Sequence, residues 1–140
     1  ALAALAKHVP GHGFGETAIE GIKAAQHWIR SSRGNGLGLH IGHAGIAFSA
    51  LRGAQILASQ ALHELAIEEY AALLHGLGRP STRCSDIIAG DAGIILALLS
   101  VPDEYPMFIP AVQMACALGD RLLESAHRTV RGWQWDDEIY

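Results

Sequence analysis

The sequence predicts an all-α protein in which buried and surface helices alternate, and three observations carry that expectation. Ala, Leu, Glu and Gln fill the long segments, and these residues lose little side-chain freedom in a helix. No run of β-branched residues alternates with polar ones as a half-buried strand requires. A glycine-led apolar segment also occurs twice, I-G-H-A-G-I-A-F-S-A-L from Ile41 to Leu51 and A-G-D-A-G-I-I-L-A-L-L from Ala89 to Leu99. The offset is 48 residues (90 minus 42), close to the period of a two-helix solenoid or toroid unit, which buries its apolar face only by stacking on a neighbour.

The opening A-L-A-A-L-A-K-H-V-P lacks an initiator Met and a basic leader, and its only Lys follows the apolar stretch. It reads as the end of a helix cut in mid-element and not as a signal peptide. The first long helix is expected over about Glu16 to Ser31, where Ile19, Ile22, Gln26 and Ile29 share one face and three of the four are apolar. The run S-S-R-G-N-G-L-G from Ser31 to Gly38 ends it. A second helix, about Ala44 to Leu57, is apolar nearly all round and so is expected to be buried. The third, about Gln60 to His75, carries Glu64, Glu68 and Glu69 on what reads as its outer side. Gly76, Gly78 and Pro80 close that pair, and the order then returns: an apolar helix from about Asp91 to Val101, a Pro-containing link, and an amphipathic helix from about Pro110 to Ala126. The expected organisation is a single partial domain over 1–140, with units at roughly 1–32, 42–76 and 90–127.

Half of the residues are hydrophobic and 17% are charged, so some apolar surface is expected to face material outside these residues. A net charge of -4 with scattered Lys and Arg argues against nucleic acid or an anionic membrane as partner. The apolar run from Ile94 to Leu99 is far short of the roughly 20 residues that cross a bilayer. Cys84 and Cys116 are too few for a disulfide framework, which makes a reducing cytoplasm the default location.

Gly42 and Gly90 are expected to supply unusual backbone angles where the chain enters each buried helix, and Gly45 and Gly93 to remove a side chain where helices approach closely. Together they would leave the first N–H groups of each buried helix open toward the centre. The same glycines serve equally as plain packing and turn devices in an α-solenoid.

The Gly-x-Ala-Gly-Ile element opening successive buried helices resembles the lanthionine synthetase C-like family. The likeness is densest in S-D-I-I-A-G-D-A-G-I-I-L-A-L-L-S from Ser85 to Ser100, and it extends through A-L-G-D-R-L-L-E-S-A from Ala117 and G-W-Q-W from Gly132. The stretch from Gly38 to Leu51 is similar to the preceding segment of the family. The resemblance implies a six-hairpin α/α toroid, of which this chain would form about half the ring. It also implies a zinc held by two Cys and one His from later segments expected beyond Tyr140; Cys84 and Cys116 match neither Cys position. Zinc is therefore expected in a longer parent, with no metal ligand in this chain.

Asp86 stands where the family places an acidic residue near the zinc and the substrate thiol, so the resemblance makes it the first catalytic candidate. Its role would be to position a general acid or assist deprotonation; the plain alternative is a cap or dipole partner for the buried helix beginning near Gly90. Asp91 is the better plain helix-start stabiliser, and its counterpart in the earlier repeat is His43. His40 and His43 flank a glycine at the expected mouth and are candidates for substrate binding; neither they nor His8 with His12 complete a familiar metal site. Trp133 and Trp135 read mainly as fasteners of the last helix, with a peptide-binding rim as the alternative, and Arg128, Arg131, Asp136, Asp137 and Glu138 as a solvated terminal stretch.

The leading functional expectation is a segment of a zinc-dependent lanthipeptide cyclase, adding Cys thiols of a precursor peptide to dehydroalanine or dehydrobutyrine. The remainder of the toroid is a required partner, and the chain alone is expected to be inactive. The alternatives are a non-catalytic helical-repeat module that holds a peptide or protein, and a carbohydrate- or terpenoid-type toroid enzyme, which needs paired carboxylates or an Asp-rich motif.

Overall fold

A computed structural model describes residues 1–31, 36–79 and 84–135. Among them are six α-helices: α1 (Leu2–His8), α2 (Phe14–Ser31), α3 (His43–Leu57), α4 (Gln60–Leu77), α5 (Asp91–Leu98) and α6 (Phe108–Ser125). The chain is an all-α partial toroid, with α3 paired to α4 and α5 to α6. No helix among the described residues is long and apolar enough to cross a membrane.

The core lies where α3 and α5 meet their partners. Alanines at 44, 47, 50 and 54 line the buried side of α3, and the small side chains let it sit close to its neighbours. Ile94, Ala97 and Leu98 of α5, Leu65, Ala66, Leu73 and Leu77 of α4, and Ala111, Ala115 and Leu118 of α6 complete the cluster. Each fully buried Leu or Ile contributes about 1.5–3 kcal/mol. Tyr70 ties the two units together: its hydroxyl donates to the Ala97 carbonyl at 3.0 Å and pairs with Ser100 Oγ at 2.9 Å. Burial pushes its phenol up to about 12 against the opposing Ser100 bond, so the group stays a neutral donor.

The repeat recurs in the backbone ahead of each inner helix. His43 N–H donates to the Gly36 carbonyl at 3.0 Å, and Asp91 N–H donates to the Cys84 carbonyl at 2.9 Å. Each connecting loop thus folds back over the first turn of the helix that follows it. Gly42 and Gly90 are the N-caps of α3 and α5, and a Cβ on either would fall under 3.0 Å from the backbone of Gly36 or Cys84 respectively. A Cβ on Gly45 or Gly93 would be driven equally hard into the carbonyl of Leu39 or Ile87.

Two expectations about these glycines are corrected by this geometry. With φ of -157° at Gly42 and -101° at Gly90, the backbone angles are ones any residue adopts, so space and not angle demands glycine. At Gly45 and Gly93 the close neighbour is the carbonyl of the preceding loop, joined at Gly93 by Leu39 Cβ, and not a second helix. The two loops also touch each other: His40 N–H donates to the Ile88 carbonyl at 2.9 Å, and Gly38 lies against Ala89. α3 and α5 are therefore neighbouring staves with their N-termini at one end.

A two-stranded hairpin, β1 (His127–Thr129) with β2 (Gly132–Gln134), follows α6 and departs from the expectation of no strands. All six residues are exposed, so the burial pattern that announces a strand is missing. The turn is set locally by Gly132 at φ 127° and by Thr129, whose hydroxyl donates to the Gly132 carbonyl at 3.0 Å. Trp135 fastens the hairpin to α6 through Nε1–H to the Leu122 carbonyl at 2.7 Å, and Arg128 lies 4.3 Å over the Trp133 ring. Asp136, Asp137 and Glu138 lie outside the described residues.

Two glycine substitutions separate crowding from propensity. Gly93→Ala is expected to lower stability by about 1–3 kcal/mol or more through overpacking against a backbone that cannot yield. Gly119→Ala, within α6 where an added Cβ meets nothing within 4 Å, should raise it by about 0.5–1 kcal/mol. Urea denaturation of both variants checks the contrast.

Candidate functional site

The candidate site is the end of the molecule where α3 and α5 begin. In the second loop, Asp86 Oδ1 accepts from Ile88 N–H at 2.5 Å and Ala89 N–H at 2.9 Å. The Cys84 thiol bond and then the Ala89 amide, with a further contribution from the Ile88 amide, hold the Asp86 carboxyl below its ordinary range against desolvation, which raises it. Asp86 is thus an ionised acceptor at neutral pH. It organises the loop and does not cap α5, whose N-cap is Gly90. The corresponding residue in the first loop is Gly38, so the carboxylate is peculiar to the second.

The first residue of each inner helix carries a charge-bearing partner on the outer helix. Asp91, 2% exposed, pairs with Arg121 of α6. The pair is a stabilising contact at the helix start and engages the Asp91 carboxylate. His43 Nδ1 lies 2.6 Å from Glu69 Oε2 of α4. The Glu69 side chain is fully buried, and its other oxygen receives Gln26 Nε2 and Arg30 Nη2, each at 2.9 Å. Arg30 also reaches Glu68 at 3.0 Å.

Glu69 is the residue the sequence reading placed incorrectly, among the outward glutamates of this helix. It falls on the stripe of Leu62, Leu65, Ala66 and Leu73, all buried, and a carboxylate there must find partners or neutralise. Gln26, set among Ile19, Ile22 and Ile29, is the matching polar residue on α2. Those two breaks in apolar stripes were the available signal.

His40 and His43 do not meet in one pocket. His40 is exposed and lines a cleft of about 400 Å³ between α2 and the start of α3, together with Ile22, Trp28, Ile29, Ile41 and Ile46. His43 is absent from that lining and is turned to Glu69. The zinc that the family likeness implies does not fit the donors present: among the described residues no three of His, Cys, Asp and Glu are grouped to hold a metal ion. Cys84 is engaged with Asp86, and Cys116 is exposed on α6.

Asp86→Ala should cost about 1 kcal/mol at neutral pH, the worth of a lost loop cap, while Asp86→Asn keeps an acceptor oxygen and should cost less. Because the folded carboxyl titrates below its unfolded value near 3.8, its contribution is present above that pH and lost as pH falls through the folded value. The difference between wild type and Asp86→Ala in urea midpoint should therefore narrow on acidification below about pH 4.

The description of lanthionine synthetase C-like proteins as a family matches residues 1–138. No curated protein and no solved structure matches the chain. With two glycine-led inner helices side by side and a match over nearly its whole length, the chain belongs to the lanthionine synthetase C-like family.

Proposed function

We propose that this chain is part of the ring wall of a lanthipeptide cyclase, which adds Cys thiols of a precursor peptide to dehydroalanine or dehydrobutyrine. The observation that carries the reading is the ionised Asp86 on a loop that opens one inner helix and abuts the loop opening the next. Family membership supports the chemistry. As an ionised carboxylate, Asp86 accepts protons and hydrogen bonds and does not donate them. Its part is to assist loss of the thiol proton at the mouth, leaving delivery of a proton to carbon to another group.

The rest of the ring is the proposed cover for Leu96, Leu99 and Ile109, which are exposed on α5, at its C-cap and on α6. It is also the proposed source of the metal donors that the described residues lack. The 140 residues would then form a single partial domain, with units at roughly 1–32, 42–76 and 90–127.

The test incubates the 140-residue chain with zinc and a dehydrated precursor peptide and counts free thiols. Thiols should disappear only at the background rate, and loss at an enzymatic rate would refute the reading. In a closed ring carrying this segment, Asp86→Asn should slow thiol loss about 100-fold or more, the scale of general acid–base catalysis. An unchanged rate would remove Asp86 from the chemistry.

A further inference from the structure

Among the described residues, the Glu69 cluster is a buried polar feature that the proposed function leaves unused. Glu69 sits wholly inside the protein with three donors from two other helices around it: Gln26 and Arg30 of α2, and His43 at the start of α3. Glu68 shares Arg30 but is exposed. An ionised carboxylate between a guanidinium and an imidazole accepts from both. In the neutral ring, the nitrogen of His43 facing Glu69 is then the protonated one, and the other nitrogen, Nε2, carries the lone pair.

That second nitrogen has no hydrogen-bond partner among the described residues. Yet no side-chain nitrogen or oxygen among them is both buried and unsatisfied. Nε2 therefore reaches solvent, although the His43 side chain as a whole is only 14% exposed. The ring is locked on one side and open on the other, at the end of α3 where the two loops meet.

We infer that Glu69 and His43 form a preset proton-accepting dyad, with Glu69 the positioning residue and His43 Nε2 the atom that meets a substrate S–H. The inference rests on the proposed function for the identity of that donor as a peptide thiol. In the step assigned to it, the S–H bond breaks and its proton passes to Nε2. The sulfur keeps the electron pair as thiolate, and the imidazolium so formed stays paired with the Glu69 carboxylate. Gln26 and Arg30 hold Glu69 in place for this task. His43 Nε2 takes the proton in the step that Asp86, on the other loop and hydrogen-bonded to Ile88 and Ala89 N–H, assists as a second acceptor at the mouth.

The experiment is nitrogen-15 NMR of the histidine rings in the 140-residue chain, free and with a dehydrated Cys peptide or its Ser-for-Cys analogue. The free chain should hold His43 in the Nδ1–H form by about tenfold or more, the bias a hydrogen bond to a charged group gives. Glu69→Gln should remove that bias. Should that variant fail to fold, Arg30→Met, which keeps the carboxylate and removes one of its holders, should weaken the bias at an intact fold. His43→Gln identifies the resonance.

The Cys peptide should shift the Nε2 signal and the Ser analogue should not. A ring found mainly as the Nε2–H form overturns the dyad. The right tautomer with equal shifts from both peptides, or with none from a peptide that binds by fluorescence anisotropy, overturns the thiol assignment and leaves the cyclase reading standing. Failure of the Cys peptide to bind the 140-residue chain at all overturns the thiol assignment and leaves the cyclase reading, in which the rest of the ring completes the site, to its own test.

Discussion

The seating of two loop carbonyls on two bare glycines is the constraint from which the rest of the structure follows. The carbonyls of Leu39 and Ile87 occupy the space that a side chain at Gly45 or Gly93 would need. With those oxygens in place, the loop before each inner helix folds over its first turn and delivers a backbone acceptor to His43 and Asp91 N–H. The helix start is satisfied by main chain, which frees the side chains there for other partners. The loops then lie edge to edge through His40 and Ile88, and that contact sets α3 beside α5. Everything assigned to the mouth, Asp86 included, inherits its position from this packing.

A second regularity is electrostatic. The positive end of each inner-helix dipole faces a carboxylate, directly in Asp91 and through His43 in Glu69. The cations completing the two sites, Arg121 and Arg30, come from different directions, one from the partner outer helix and one from α2. The second arrangement draws α2 onto the α3–α4 pair. A buried carboxylate with a full set of donors is costly to form and costlier to break, which makes the α2–α3–α4 junction specific about its geometry.

Much of this was legible in the sequence. The 48-residue offset between Gly42 and Gly90 marked two inner helices, and it recurs in the carbonyls of Gly36 and Cys84. The limits expected for α2 to α6 lie within three residues of those observed, the widest difference being at the end of α5, Leu98 in place of Val101. What failed was reading each feature by its commonest cause. Glycine before a helix suggested an unusual angle, but φ at Gly42 is an ordinary extended value and the crowding comes from a chain segment not visible in a linear pattern. Glu69 beside Glu68 suggested a solvated face, whereas its register with Leu62, Leu65 and Leu73 put it inside. The hairpin after α6 has no buried face and so carries no alternation to detect.

Amide hydrogen exchange resolved by residue tests the central claim most directly. The N–H groups of His40, His43 and Asp91 each donate to a loop carbonyl, and none is held by an ordinary helical ladder. If the loops are seated on the inner helices as described, these three amides exchange slowly, in step with the interior of α3 and α5. Exchange at the rate of an unstructured chain, with the helix interiors still protected, would mean that the loops are not packed there and that the shared mouth does not exist.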